Sequence, residues 1–281
     1  MDIIQAIILA IVEGITEFLP VSSTGHMVIA SSLMGIEKQE FTKIFEIAIQ
    51  LGAILAVVVL YWKKFFLRTT SGTLRWPLYF KLVVGVIPAL IAGYFFADKI
   101  EQLLESPAIV IASMIAGGIV LLLVDNLFRH PHPKVESEEQ LGYGRSFIIG
   151  CWQVISMVPG ISRSAATIIG GLQQKLTRSF AAEFSFLLAV PTMLAATVHS
   201  LFMKEWTESG VTKKGYQLIL ENKQAITSFI TGSIVAFVVA MLAIRFFIRY
   251  LKVNGFRVFG IYRIVVGLVL LVLLLTGVIN S

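Results

Sequence analysis

The stretch "EGITEFLPVSSTGHM", residues 13–27, follows one apolar run and precedes another, "VIASSLMG", residues 28–35. Carboxylates, a proline, a hydroxyl cluster and a histidine thus interrupt what is otherwise membrane-like sequence. Of 281 residues, 57% are hydrophobic and only 14% charged, too little polar surface to cover a water-soluble globule. Long apolar runs recur at about 45–61, 78–97, 107–128, 180–202, 225–247 and 258–279, each near the roughly 20 residues that span a bilayer. Two more apolar regions, about 3–34 and 146–172, are broken by Pro and polar residues, so neither reads as one continuous helix.

The net charge of +6 is too localised to indicate nucleic acid as a partner. Lys63, Lys64, Arg68, Arg75 and Lys81 form one acid-free stretch, and Arg245, Arg249, Lys252, Arg257 and Arg263 another. Both read as cytoplasmic loops by the positive-inside rule. The one cysteine, Cys151, excludes an internal disulfide. Asp2, with no basic residue ahead of the first apolar run, argues against a cleaved signal peptide. The segments 129–145 and 203–224 read as polar loops.

The second broken region repeats the first. "EGITEFLPVSSTGHMVIASSL" and "QVISMVPGISRSAATIIGGL" each hold a half-span, a proline (Pro20, Pro159), a serine-rich cluster and a short helical run. Downstream, "FEIAIQLGAILAVVV" and "AEFSFLLAVPTMLAAT" each place an acid, Glu46 or Glu183, near the start of the next span. With both basic loops inside, the topology closes only if the broken regions dip into the membrane and return. The expected fold is therefore an all-α polytopic membrane protein. It has six transmembrane helices plus two re-entrant helix-loop-helix segments in inverted-topology repeats, about 1–128 and 146–281, within a single integral membrane domain. Broken helices in such repeats meet near the midplane and form binding sites there.

Glu13 and Glu17, four residues apart, stack on one helix face. In a low-dielectric pocket such a pair either binds a proton or shares a metal. After Pro20, the residues Ser22, Ser23 and Thr24 can cap a second half-helix, whose positive end suits phosphate. His26 follows Ser23 by about one turn, so the two could act as base and nucleophile. In "PGISRSAAT", Ser162 or Ser164 caps the following helix and Arg163 offers a fork of donors for phosphate oxygens. Glu46 and Glu183 are expected to brace the motif turns by accepting hydrogen bonds from them. Gly85, Gly93, Gly117, Gly118, Gly170 and Gly171 could let helices approach or open a groove.

These motifs resemble the two signatures of the bacterial undecaprenyl-diphosphate phosphatase family, the bacitracin-resistance type, over nearly the whole chain. The resemblance implies hydrolysis of undecaprenyl diphosphate to undecaprenyl phosphate and inorganic phosphate, recycling the lipid carrier of cell-wall synthesis. It also implies a multi-pass protein of the bacterial inner membrane, a site open to the outer, periplasmic side, and a requirement for a divalent cation; Mg²⁺ or Ca²⁺ held by Glu13 and Glu17, or bridging the diphosphate, would neutralise the leaving group. By the family pattern Glu13 and Glu17 are the acidic pair, and Ser23 and His26 the hydroxyl and imidazole of the first motif. Ser162, Arg163, Ser164 and Thr167 form the phosphate-binding group of the second; from the capping geometry, Ser22 and Thr24 are expected to bind phosphate as well. Ser23 is the expected nucleophile, with Glu17 or His26 as base; a phosphohistidine at His26 is the rival. Membrane lipid surrounds the chain, and a homodimer is left open. A transporter or flippase of a phosphate or lipid-phosphate headgroup is the competing class, because it would use the same anion site.

Overall fold

The computed structural model describes residues 1–67, 75–104, 106–128, 135–208, 210–277 and 279. Among the described residues, six helical segments are long and apolar enough to cross a membrane: Glu40–Leu60, Trp76–Phe96, Pro107–Leu127, Arg178–Met203, Lys223–Leu251 and Arg257–Leu275. They coincide with the six runs expected from the sequence. The protein is an all-α polytopic membrane protein.

In chain order the helices are α1 (Ile3–Thr16), α2 (Ser23–Leu33), α3 (Glu40–Ala48), α4 (Gln50–Leu60), α5 (Trp62–Phe66), α6 (Trp76–Leu104) and α7 (Pro107–Leu127). Then come α8 (Tyr143–Ile155), α9 (Arg163–Gln173), α10 (Arg178–Val198), a π-helical turn at His199–Met203, strands β1 (Glu205–Glu208) and β2 (Val211–Lys214), α11 (Gly215–Ile219), α12 (Lys223–Leu251) and α13 (Arg257–Leu275). The first span is α3 and α4 joined at Ile49. With 14 residues, α1 covers about 21 Å, short of the roughly 30 Å hydrocarbon core.

Contacts at the helix ends define two faces. At one, the Met1 amino group donates to Gln39 Oε1 (3.2 Å) and Gln224 Nε2 donates to the Met1 carbonyl (2.9 Å), gathering the starts of α1, α3 and α12. The turn after α2 joins this face through the Gln39 N–H on the Ile36 carbonyl (3.1 Å), just before α3 begins. At the other face Lys64 bonds Glu138 (2.7 Å) and Glu183, and Arg75 bonds Glu138 (2.6 Å). Asp125, at the end of α7, meets Arg178 (2.7 Å) and accepts from the Phe256 N–H (2.6 Å). Here α8 starts, with Ser146 donating to the Lys81 carbonyl. Here too α9 ends, with the Thr177 N–H on the Val135 carbonyl (3.0 Å).

Several expectations are corrected. The segment 203–224 is not simply a polar loop. It forms the β1–β2 hairpin and α11, whose Leu218 and Ile219 pack with Trp206 on Ile44 and Ala48 of α3. Glu183 braces no serine turn, because its carboxylate is taken by Lys64 at the opposite end. Arg263 belongs to no basic loop and is fully buried inside α13. Residues 129–134 and Arg68 lie outside the described residues.

The small residues bring helices together rather than open a groove. A methyl group on Gly150 of α8 would collide with the Gly85 carbonyl of α6, and one on Gly118 of α7 with Gly260 of α13. Close backbone approach of this kind compensates for the weak hydrophobic drive between helices in lipid.

Candidate active site

Two turns of the same construction carry the site. Each follows a short helix, α1 or α8, and each ends in a serine with positive φ: Ser22 (72°) and Ser162 (77°). The two serines cap the next helix alike. Ser22 Oγ accepts from the Gly25 N–H (3.4 Å) and Ser162 Oγ from the Ala165 N–H (3.2 Å), satisfying N–H groups that the helix itself cannot. The closing turns match as well: Gly35 and Lys175 adopt φ 66° and 65°, and the Leu176 N–H reaches the Gly171 carbonyl at 3.0 Å as the Ile36 N–H reaches Ser31. One offset, 140 residues, relates both pairs. It sets Pro20 opposite Gly160, one position away from the proline-to-proline match.

Ser23 and Arg163 are the first residues of α2 and α9, and both converge on Glu17. Ser23 Oγ donates to Glu17 Oε2 at 2.6 Å, and Arg163 Nη2 donates to Glu17 Oε1 at 3.2 Å. Arg163 Nη1 reaches the Ser185 carbonyl (3.0 Å), while its buried Nε has no partner among the described residues. Glu17 is 8% exposed and Glu13, one turn earlier, 1%. Thus a hydroxyl, a carboxylate and a guanidinium from the two halves form one hydrogen-bonded chain beside two helix N-termini, a setting suited to a phosphoryl group.

The other sequence-derived residues are distributed around this chain. Ser22 and Ser162 are occupied as caps, and Thr24 sits half-buried beside Ser23. Ser164 is fully buried, and its Oγ donates to the Phe18 carbonyl (2.7 Å), tying the second motif to the first turn. Thr167 is buried against Ser185 Oγ (2.6 Å) and the Arg163 carbonyl (2.9 Å). His26 does not pair with Ser23: its Nδ1 meets the Ser22 carbonyl (2.7 Å) and its Nε2 the Tyr262 hydroxyl (2.8 Å). A carbonyl can only accept, so Nδ1 carries the hydrogen and Nε2 accepts from Tyr262.

Tyr262 and Arg263 escaped the sequence reading. The Tyr262 ring lies parallel to His26, with centroids 5.5 Å apart. Arg263 donates to five carbonyls: Gly160 (2.7 Å), Ile161 (2.8 Å), Met114 (3.2 Å), Ser113 (3.2 Å) and Pro20 (3.4 Å). The available signal was a lone charge inside "FGIYRIVVG", because ionisable residues within apolar spans are costly; counting it with a basic loop concealed it.

Metal binding can be tested on the oxygens themselves. Among the described residues no group of three or more His, Cys, Asp or Glu is placed to hold an ion. Glu13 Oε1, however, is buried without a hydrogen-bond partner, one turn from Glu17. An orphaned carboxylate oxygen beside a second carboxylate fits a hard divalent cation, which takes its remaining oxygens from phosphate and water. A cavity of about 620 Å³ at the Lys64 face, lined by Asp125, Thr177, Arg178 and Lys252 among others, includes none of these groups.

Comparison with known proteins agrees with the motifs. Residues 6–269 match the family described as bacitracin resistance protein BacA. The undecaprenyl-diphosphatase of Flavobacterium psychrophilum is 55% identical over 273 residues, covering 97% of this chain and 96% of its own. That of Bdellovibrio bacteriovorus is 49% identical over 277 residues, covering 99% and 98%. That of Campylobacter jejuni, serotype O:2, is 40% identical over 281 residues, covering 100% and 98%. With a family match that covers five membrane helices and most of the sixth, and relatives aligned over nearly their whole length, the chain belongs to the bacitracin resistance protein BacA family.

Proposed function

We propose that this protein hydrolyses undecaprenyl diphosphate to undecaprenyl phosphate and inorganic phosphate, with Ser23 as nucleophile and Glu17 as its base. Family membership and the relatives' shared name support the reaction. The observation that carries the residue assignment is the 2.6 Å hydrogen bond from Ser23 Oγ to Glu17 Oε2, with Arg163 on the other carboxylate oxygen.

Ser23 Oγ forms a bond to the terminal phosphorus as the bond from that phosphorus to the bridging oxygen breaks, and undecaprenyl phosphate leaves. The hydroxyl proton passes to Glu17. Arg163, whose Nε is unpartnered, and the N–H groups opening α2 and α9 hold the non-bridging oxygens where charge is spread in the transition state. Glu17 gives up the hydroxyl proton to solvent; water then loses a proton to Glu17 as its oxygen bonds the phosphorus, the phosphorus–Ser23 Oγ bond breaks, and Glu17 returns the proton to Ser23 Oγ as inorganic phosphate leaves. His26, engaged by Ser22 and Tyr262, orients the start of α2. A Mg²⁺ or Ca²⁺ bound by Glu13 and Glu17 would supply charge neutralisation at the diphosphate.

We infer that residues of about 1–128 and 146–281 form inverted repeats, with α1–α2 re-entering from the Met1 face and α8–α9 from the Lys64 face. The shared 140-residue offset supports this reading. The Lys64 face is assigned to the cytoplasm by its basic loops, and the site is taken to be reached from the outer side.

Purified protein in detergent, where no gradient exists, should release phosphate from undecaprenyl diphosphate. Ser23→Ala and Glu17→Gln should each reduce kcat by about 100-fold or more, and acid-quenched wild type should contain acid-stable phosphoserine. Acid-labile phosphate alone would transfer the nucleophile to His26. Folded wild type without turnover would leave a carrier as the better reading.

A further inference from the structure

The structure assigns to Arg263 the role of a positioning residue that clamps the two motif turns into one site. The inference rests on the hydrolase reading above and deepens it. Breaking a helix inside the membrane strands the carbonyls of the break, because no water is there to satisfy them. Pro20 ends the first turn two residues before the Ser22 cap, and Gly160 and Ile161 immediately precede the Ser162 cap. One guanidinium donates to all three carbonyls and to Ser113 and Met114 of α7. It thereby fixes both serine caps, and hence Ser23 and Arg163, against the same rigid helix.

Two further observations fit this role. Arg263 is fully buried, and none of the salt bridges among the described residues involves it. Its charge is met by carbonyl dipoles alone, so it is committed to backbone. Its seat is also shaped for a guanidinium: a methyl on Gly117 would collide with Cζ and Nη2 of Arg263. A lysine retains the charge but cannot span five acceptors with one planar fork.

The same helix presents Tyr262 to His26 of the first motif. Consecutive residues of α13 therefore reach the imidazole and the backbone beneath it, without either being placed to touch the reacting phosphorus.

The test uses full-length protein in detergent and compares Arg263→Lys, Gly117→Ala and the double variant with wild type. Measurements are the melting transition, kcat and KM per folded molecule, and the shift in melting temperature produced by inorganic pyrophosphate with Mg²⁺. Clamping predicts that Arg263→Lys lowers kcat about 100-fold while KM changes less than about threefold, because the aligned transition state is lost more than ground-state binding. Gly117→Ala should lower kcat about 10-fold in wild type and no further in the lysine variant, as expected for two changes acting through one contact. The pyrophosphate shift should shrink only slightly in each variant, by no more than an affinity loss of about threefold allows, a readout independent of turnover. A merely structural role predicts loss of folded protein with unchanged kcat per folded molecule, and that result, or additive effects of the two substitutions, would overturn the assignment. Wild type that releases no phosphate but shows a pyrophosphate shift sensitive to Arg263→Lys would sink the hydrolase reading and keep the clamp.

Discussion

Ser22 and Ser162 share a backbone that few side chains adopt: φ 72°, ψ 96° in one and φ 77°, ψ 116° in the other. Both conformations are held by the cap that the side chain makes three residues on. Conformational strain and capping thus oppose each other at one residue. Ser162→Gly loses the cap, worth only a few tenths of a kcal/mol for this exchange, and relieves about 1 kcal/mol or more of positive-φ strain. Ser162→Ala loses about 1 kcal/mol of capping and keeps the strain. The glycine variant should therefore melt at a higher temperature in detergent than the alanine variant, and Ser22 should show the same order. The reverse order at both sites would mean that the strain is not real.

Ser164 distinguishes a phosphate ligand from a brace. Its hydroxyl hydrogen is committed to the Phe18 carbonyl in a fully buried contact between the two halves. Ser164→Ala should leave that carbonyl unsatisfied at a cost of about 1–3 kcal/mol, visible as a lower melting temperature, while KM for undecaprenyl diphosphate stays within about threefold of wild type. A large rise in KM with unchanged stability would return Ser164 to the phosphate site.

Glu13 and Glu17 divide the labour differently. Glu17 is already engaged by Ser23 and Arg163, whereas Glu13 keeps a buried oxygen without a partner. Glu13→Gln should raise the half-saturating Mg²⁺ concentration by about 10- to 100-fold, yet at saturating metal it should retain far more activity than Glu17→Gln. A metal titration of phosphate release, started from chelator-treated enzyme, reads both quantities. Equal losses for the two variants at saturating metal would argue that they act as one unit.

The six spans were legible because bilayer thickness imposes a length on apolar sequence, and the two helix breaks because Pro and serine clusters are conspicuous inside apolar sequence. Arg263 was not, since its partners are backbone carbonyls, which carry no sequence signature. Tyr262 lies 236 positions from His26, so only the fold connects them. Glu46 and Glu183 stand at nearly matching places, seven residues after the Gln39 cap of α3 and six after the Thr177 cap of α10, so their positions alone do not distinguish their partners. What separates them is the neighbour that the fold supplies: Glu183 meets Lys64, 119 positions away in the chain.

The Lys64–Glu138–Arg75 cluster at the basic face makes stability depend on pH at both extremes. Burial works against ionised Glu138, but hydrogen bonds from Lys64 and its own backbone, with the Lys64 and Arg75 charges, outweigh this and hold its carboxyl below the usual range. Burial also opposes charged Lys64, yet its bonds to Glu138 and Glu183 and their charges raise its ammonium above the usual range. A lowered carboxylate stabilises fully above its unfolded value, about 4.3, and loses that contribution as pH falls through the folded value. A raised ammonium stabilises fully below about 10.4 and loses its contribution as pH rises through the folded value. The contribution of this cluster to the melting temperature in detergent should therefore be constant between these limits and be lost on both sides. Glu138→Gln should lower the plateau and flatten the acid limb, while the alkaline limb persists through the remaining Lys64–Glu183 pair. Because Ser23 and Glu17 do not touch this cluster, kcat per folded molecule should be unchanged on the plateau. If Glu138→Gln left the acid limb as steep as in wild type, acid unfolding would have to arise elsewhere in the chain.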